Sequence, residues 1–369
     1  MELVQNSFAQ LEISTSNVLH NYNYFRGKLH KSTKLLVLVK ANSYGHGALE
    51  FANLLEKAGV DYFGIALPVE GIELREGGIT KPILALTIGT DSFKDLVDYN
   101  LEPSIPNITT LTAFEKYLEQ RNINSFPIHI KLDTGMHRLG FMSNELDELL
   151  KFFSTKRRVC VKSIFSHLAA ADDPMYDDFT LGQIKMFQEN YAKLDKVLGY
   201  TPLHHILNSS GIERFNDYQM DMVRLGLGIY GLSAVNQANL KPASSLKCDI
   251  LQIKTLRPED GTIGYGRAGK ITKPVTIATL PLGYADGINR KFGNGRAKFF
   301  LNGKLVPTIG NICMDMFMID ITGVDAKVGD TVTIYGENPT ASDLAEILET
   351  IPYEVLTSLD RRVKRAVVK

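Results

Sequence analysis

The sequence carries no excess of charge of either sign. Across 369 residues, 41 Lys and Arg face 41 Asp and Glu, a formal charge of zero. A dedicated nucleic-acid binder usually has a basic excess, so no nucleic-acid partner is expected. Cysteine is scarce: Cys160, Cys248 and Cys313 are widely spaced and odd in number. They form neither a disulfide framework nor a CxxC metal site, so no metal is expected and a reduced, cytoplasmic setting is. No apolar run reaches the length of about 18 residues that a membrane span needs. The opening MELVQNSFAQLEIS has no basic stretch followed by an apolar one, so no signal peptide or membrane partner is expected. Glycine- and serine-rich linkers, low-complexity tracts and repeats beyond a strand–helix alternation are also missing.

What is there reads as a globular chain. Hydrophobic residues make up 44% and charged residues 22%, enough for a sizeable core. The length suits a large domain joined to a smaller one.

Short apolar, β-branched runs recur along the first part of the chain, at 35–40 (LLVLVK), 62–66, 83–89, 103–106, 128–133, 163–169, 205–209 and 222–230. Helical patterns separate them; the clearest is 181–198, with apolar residues every three or four positions. Eight strands alternating with helices over roughly 200 residues predict an α/β fold, an N-terminal (β/α)8 TIM-like barrel over 8–240. An open doubly wound sheet is the competing architecture. Beyond about 240 the helices thin out. The runs CDILQIKTL, VTIATLPLGY, AKFFLNGKLVPTIG, MFMIDI and DTVTIYG predict a mostly-β C-terminal domain over 241–369, which the strand at 1–14 joins. Asn302–Gly303 marks a hairpin, and Thr340 caps a helix running to Leu348.

In such a barrel the working residues sit at the C-terminal ends of the strands. Reading those ends yields Lys40, Lys131 with Arg138 beyond it, His167, Asn208 and Ser209, and Arg224 with Gly226. A lysine ending an apolar strand is either a side chain snorkelling to water or an amine of lowered pKa ready to form a Schiff base. Its neighbours Tyr44-Gly45-His46-Gly47 favour the second, since a hydroxyl and close backbone amides suit a phosphate. Gly226–Gly231 fits the dinucleotide pattern GxGxxG, but it falls late and opens no helix. It reads better as a phosphate cradle after the eighth strand, with Ser209 donating to the same group. One phosphate, one lysine and one barrel mouth point to pyridoxal phosphate rather than NAD. Arg224, a donor only, would keep the pyridine nitrogen unprotonated and the ring a moderate electron sink.

With these motifs in order, the chain resembles alanine racemase over almost its whole length. The matching segments are VKANSYGHG, IKLDTGMHRLG, FSHLAAAD, HILNSSG, DMVRLGLGIYG, GYGRAG, LPLGYADG, GNICMDM and PYEVLTSLDRRVKR. The resemblance implies a pyridoxal phosphate racemase acting on alanine, a homodimer with shared active sites, and a role in supplying D-alanine to cell-wall peptidoglycan. Lys40 would hold the cofactor and serve as base on the D face, with Tyr265 as base on the L face. Tyr44, Ser209, Gly226, Leu227 and Tyr353 would hold the phosphate, Asn208 adjoining them. Arg224 would pair with the pyridine nitrogen, with His167 near the ring and Tyr265. Arg138 and the Met314 amide would bind the substrate carboxylate. Tyr284, Arg290 and Asp172 would line the entry, with Cys313 and Asp315 beside the Met314 position. Lys131, carbamylated in some members, would position Arg138; the plain alternative is a lysine in an ion pair. The family takes Tyr265, Tyr284 and Met314 from the partner subunit.

Two bases on opposite faces of a planar carbanion racemise directly. A free phenol titrates near about 10, so a tyrosine base calls for neighbouring cations, for which His167 and Arg224 are the candidates. The chain departs from the family at Ser43 (usually alanine), His137 (small or asparagine), Leu225 (often proline) and Gly228 (often alanine). His137 beside Arg138 bears on substrate reach. A serine racemase of the same fold, a barrel-type decarboxylase and a non-catalytic pyridoxal phosphate-binding protein remain the alternatives.

Overall fold

The structure is a computed structural model that describes residues 6–155 and 157–369. It opens with strand β1 (Asn6–Ser14); residues 1–5 of the strand expected at 1–14 lie outside the described residues. The eight apolar runs then become β2 (Lys34–Leu38), β3 (Tyr62–Ile65), β4 (Ile83–Ala85), β5 (Glu102–Ile105), β6 (Phe126–Lys131), β7 (Val159–Phe165), β8 (Leu203–His205) and β9 (Met222–Leu225). All pair in parallel, in the order β8-β7-β6-β5-β4-β3-β2-β9. Two backbone bonds between β8 and β9 neighbourhoods, Asp221 N to His204 O (3.2 Å) and Arg224 N to Leu207 O (3.0 Å), nearly close the ring. This is the predicted TIM-like barrel, and the open sheet is set aside. Its strands are continuous apolar runs because both faces are covered. Helices lie between them, buried on one stripe: in Ile108–Gln120 the stripe is Leu111, Phe114 and Leu118, and Asn107 caps the helix by accepting from Thr110 N at 2.8 Å.

Several strands stop short of their expected ends. The run 222–230 is a strand only to Leu225; Leu227–Tyr230 is a 3-10 turn. The runs 83–89 and 205–209 likewise end at Ala85 and His205. His167 and Lys40 each lie two residues past a strand end rather than within it. The barrel curves its strands apart, so apolar residues beyond the last paired position turn into the loops.

The chain divides into two units, 19–43 with 48–240, and the segment through Val18 with 44–47 and 241–369. The second unit is mostly strand: β10 (Ser244–Asp249), β11 (Gln252–Leu256), β12 (Thr262–Ile263), β13 (Gly269–Lys270), β14 (Val275–Leu280), β15 (Lys298–Leu301), β16 (Lys304–Ile309), β17 (Phe317–Asp320), β18 (Thr331–Tyr335) and β19 (Val363–Val368). Nine strands form one sheet in the order β11-β14-β17-β16-β15-β18-β10-β1-β19, parallel only between β1 and β19. Burial alternates along β10, as expected for a half-covered strand. Asn302 and Gly303 both take positive φ, +46° and +84°, and close the β15–β16 hairpin as their pairing predicts. The helix capped by Thr340 runs Ala341–Leu348, and Thr340 Oγ1 accepts from Asp343 N at 3.1 Å. Among the described residues no helix is long and apolar enough to cross a membrane.

Candidate active site

Parallel strands place their C-terminal ends at one end of the barrel, and the sequence loads cations there. Lys40 follows β2, Lys131 closes β6, Arg138 lies in the loop beyond, and Arg224 lies in β9. Burial and the Arg138 charge lower the Lys40 ammonium from its ordinary value, with Glu70 opposing. Lys131 is buried as well; desolvation, then Arg138 and Arg224, pull it down to about 8. Both amines therefore give up a proton more readily than a surface lysine.

Arg224 is 3% exposed and has no carboxylate partner among the described residues. Burial lowers it to about 9, still a cation at neutral pH. Nη1 donates to His205 Nδ1 (2.6 Å) and to His205 O (3.3 Å). Nη2 donates to Ser166 O (2.6 Å), Ile206 O (2.9 Å) and His167 Nδ1 (3.2 Å). Among the described residues no acceptor is paired with Nε. Because arginine only donates, His205 and His167 each accept on Nδ1 and carry their proton on Nε2. Burial and the cations Arg224, Arg138, Lys131 and Lys40 hold His167 well below its ordinary pKa. This corrects the expectation that His167 serves as a cation: it is a neutral donor, and Arg224 is the cation.

Ser209 stands at the start of the helix Ser209–Arg214. Its Oγ accepts from Gly226 N (2.9 Å) and Gly228 N (3.3 Å), which leaves its own hydrogen for an outside acceptor. Asn208 turns inward as the cap, accepting from Gly211 N (2.9 Å) and donating to Leu168 O (3.3 Å). Leu227 opens the 3-10 turn after Gly226. A Cβ on Gly228 would meet Phe25 Cζ at 2.3 Å, so the alanine frequent in the family does not fit beside this phenylalanine. His137 has φ +51°, a conformation asparagine tolerates well, and its amide donates to Asp133 Oδ1 at 3.0 Å. Asp172 is exposed in the loop after β7.

From Ala41 to Tyr44 four consecutive residues have φ between +51° and +54°, one left-handed turn directly after Lys40. Glu70 Oε1 accepts from Ala41 N at 2.6 Å, and Ser43 N donates to Val39 O at 2.9 Å.

The other expected residues lie in the mostly-β unit. The Tyr44 and Tyr353 rings sit 5.9 Å apart, and burial raises the Tyr44 phenol, which stays protonated. Tyr265 is 73% exposed between Gly264 (φ +73°) and Gly266 (φ +66°), its carbonyl held by Asn311 Nδ2 at 2.9 Å. Tyr284 N donates to Cys313 O and Ala285 N to Met314 O, both at 3.0 Å, which ties the 313–315 loop to LPLGYADG. Met314 is 54% exposed. Arg290 stacks its guanidinium 6.0 Å from the Tyr284 ring centroid. Arg362 links Asp286 and Asp315, 3.0 Å to each.

Reasoning from the sequence assigned no role to Glu70, Arg362, His205, Ser163, Glu102 or His129. For most the signal was available: His129, Ser163 and Glu102 are polar residues within buried strands, and His205 and Arg362 stand within the matching motifs; Glu70, in the helix Pro68–Glu76, carried neither sign.

The donor set fits pyridoxal phosphate. A lysine of lowered pKa, a buried arginine with an open Nε–H and a serine with an unspent hydrogen answer an aldehyde, a pyridine nitrogen and a phosphate. Fold and site define a barrel isomerase that works on an amino acid with that cofactor. The sequence matches the family model described as alanine racemase, N-terminal domain, over 13–234, and the corresponding C-terminal domain over 243–367. It is 37% identical to alanine racemase 2 of Caldanaerobacter subterraneus subsp. tengcongensis, covering 96% of this chain and 94% of that one. Among solved structures, alanine racemase of Clostridium difficile 630 superposes with a TM-score of 0.91 at 34% identity, covering 99% of this chain and 98% of that one. The Bartonella henselae alanine racemase with covalently bound pyridoxal phosphate superposes with a TM-score of 0.87 at 29% identity, covering 98% of this chain and all 100% of that one. The chain belongs to the alanine racemase family, and its reaction is the pyridoxal phosphate-dependent racemisation of alanine.

Proposed function

We propose that this activity runs through two bases, Lys40 and Tyr265, in a homodimer whose sites each take Tyr265, Tyr284 and Met314 from the partner subunit. The barrel domain is assigned to 8–240 and the β domain to 241–369, with the N-terminal strand joining the β domain. The reaction supplies D-alanine for peptidoglycan in the cytoplasm. The observation that carries the assignment is the Arg224 side chain, buried with no carboxylate partner among the described residues and with Nε left open, in a barrel whose Lys40, just past a strand's C-terminal end, has a destabilised ammonium.

Bound pyridoxal phosphate supplies an electron sink for the substrate α-carbon. Lys40, lowered by burial and Arg138, offers a free amine to the cofactor and afterwards takes or returns a proton on the D face. Tyr265 of the partner subunit does the same on the L face, and its exposure on the isolated chain suits a residue used across an interface. His167, neutral with its proton on Nε2, donates to that phenol oxygen rather than repelling a cation. Arg224, with Nε–H unpaired among the described residues, would donate to the pyridine nitrogen of the bound cofactor and, as a donor only, would deny it a proton. Ser209, the Leu227 amide, Tyr44 and Tyr353 hold the phosphate, with the Gly226 amide anchoring Ser209 Oγ beside it. Arg138 and the Met314 amide hold the substrate carboxylate. Lys131 carries a carbamate: an amine brought down to about 8 among cations gains most from becoming an anion. Tyr284, Arg290 and Asp172 border the entry, with Cys313 and Asp315 supporting the Met314 loop.

The test is a spectrum of purified protein before and after borohydride, followed by chiral chromatography of L-alanine and L-serine. A cofactor band abolished by reduction, with alanine racemised faster than serine, is expected. Tyr265→Phe keeps the band and loses most racemisation; a fully active Tyr265→Phe refutes the second base.

A further inference from the structure

Five adjacent barrel strands each contribute one side chain to a buried line of hydrogen bonds. Arg224 (β9) donates to His205 Nδ1 (β8) at 2.6 Å. His205 Nε2 lies 2.9 Å from Ser163 Oγ (β7). Ser163 Oγ lies 2.6 Å from His129 Nδ1 (β6), and His129 Nε2 lies 2.7 Å from Glu102 Oε2 (β5). All five are buried, with His129, Ser163 and His205 wholly so.

The direction of the line follows from its first member. Arginine cannot accept, so His205 must carry its proton on Nε2 and donate to Ser163. Ser163 then turns its own hydrogen to His129 Nδ1, and His129 donates from Nε2 to the carboxylate. With His129 neutral, a single proton placement satisfies every link, and each dipole points from the cation to Glu102. Burial and the Arg224 charge keep His205 well below its ordinary pKa, which preserves it as the neutral middle of the chain. A buried guanidinium with no contacting anion among the described residues is thereby connected to a buried carboxylate four hydrogen bonds away, and a fully satisfied network of this kind holds one geometry.

We propose that Glu102, His129, Ser163 and His205 are positioning residues that fix the orientation and charge of Arg224 toward the cofactor's pyridine nitrogen. This rests on the pyridoxal phosphate reading of the site. The line acts through Arg224 alone, and none of the four touches a reacting atom. Other charged and titratable groups face its two ends: His167, Lys131, Lys40 and Arg138 at the arginine end, Tyr62 and Arg75 at the glutamate end. Those groups surround the line without interrupting it.

Ser163 is the link to cut, because Ser163→Ala strands a donor on His205 and an acceptor on His129 while Ser163→Thr keeps the hydroxyl. On the cofactor-loaded proteins, the absorbance band of bound cofactor is titrated with pH, and kcat and KM are measured for L-alanine. Ser163→Ala is expected to move the band's apparent pKa by about one unit or more and to lower kcat about ten- to hundredfold with KM little changed. Ser163→Thr is expected to match the wild type. Histidine-selective 15N spectra of the wild-type holoenzyme provide a measurement that needs no variant: His205 and His129 must both be Nε2–H tautomers. A wild-type titration in Ser163→Ala, a Ser163→Thr as impaired as Ser163→Ala, or an Nδ1–H signal for either histidine overturns the relay. A wild-type chain that shows no cofactor band overturns the pyridoxal phosphate reading instead, before any variant is compared.

Discussion

Gly283→Ala tests whether the 313–315 loop is positioned as tightly as the site requires. Gly283 has φ −148°, extended backbone open to any residue, so the substitution brings no conformational penalty of its own. Its Cβ would lie 2.1 Å from Met314 O, 2.3 Å from Met314 C and 2.5 Å from Asp315 N, where ordinary contact begins at 3.4 Å. These are backbone atoms and no rotamer change relieves them. The loop must retreat by about 1 Å or more, and overpacking of this kind costs about 1–3 kcal/mol. The retreat breaks the pairing of Tyr284 N with Cys313 O and of Ala285 N with Met314 O. A displacement of about 1 Å at a substrate-positioning group costs on the order of a hundredfold in rate. On the proposed role of the Met314 amide at the carboxylate, kcat/KM for L-alanine is expected to fall by about that factor while the cofactor band survives. Gly182→Ala is the control: it lies in the helix Asp177–Leu198 with nothing within 4 Å, and it should stabilise by about 1 kcal/mol without touching activity. Chiral chromatography and a thermal melt on both variants decide the matter. A Gly283→Ala enzyme with wild-type kcat/KM refutes both the tightness of the loop and the role of the Met314 amide.

Sites shared between subunits predict complementation: mixing inactive Lys40→Ala with inactive Tyr265→Ala under subunit exchange restores roughly a quarter of the wild-type sites, and no recovery refutes the sharing. Lys131 titrates at about 8 folded against 10.5 unfolded, a gap worth about 3 kcal/mol against the folded state. That penalty is complete below about 8 and vanishes as pH rises toward 10.5, so in carbonate-free buffer Lys131→Met melts above the wild type at pH 7 and level with it at the alkaline end. Adding bicarbonate should raise the wild-type melting point and leave Lys131→Met unmoved; a wild type indifferent to bicarbonate removes the carbamate. Gly228→Ala, pressed against Phe25, should lose about 1–3 kcal/mol in denaturant unfolding and regain most of it with Phe25→Leu, which makes room.

Legibility in the sequence followed the kind of physics involved. Barrel strands were readable because a strand covered on both faces is a plain apolar run, as LLVL and YFGI show. The hairpin at Asn302–Gly303 and the cap at Thr340 were readable because each depends on a few neighbouring residues. Strand ends were less so: nothing local tells Leu225 that it is the last paired residue and Leu227 that it turns. The chemistry of Lys40 and Arg224 could be inferred from residue type and place. The lowered pKa of His167 could not, because it comes from burial in the folded barrel and then from four cations scattered over 184 positions of chain, from Lys40 to Arg224. The hydrogen-bond line to Glu102 was hidden for the same reason, since its five members are neighbours only once five strands are in register.

The segment after Lys40 shows where local reasoning has to fail. Ala-Asn-Ser-Tyr holds no glycine, yet all four residues are left-handed. At about 1–2 kcal/mol each the strain is roughly 4–8 kcal/mol, far beyond what any local preference supplies. It persists because the surroundings determine it. Glu70 takes Ala41 N on one oxygen and Ala66 N and Leu67 N on the other, and Asn42 Oδ1 accepts Ala48 N at 2.9 Å. At the far end Gly45, with φ +85°, lies so close to Leu356 that a Cβ would stand 2.1 Å from its carbonyl oxygen, while Arg365 clasps the Gly45 carbonyl at 2.8 Å. The strain is therefore held by contacts on either side of the segment and not by any preference of its own residues.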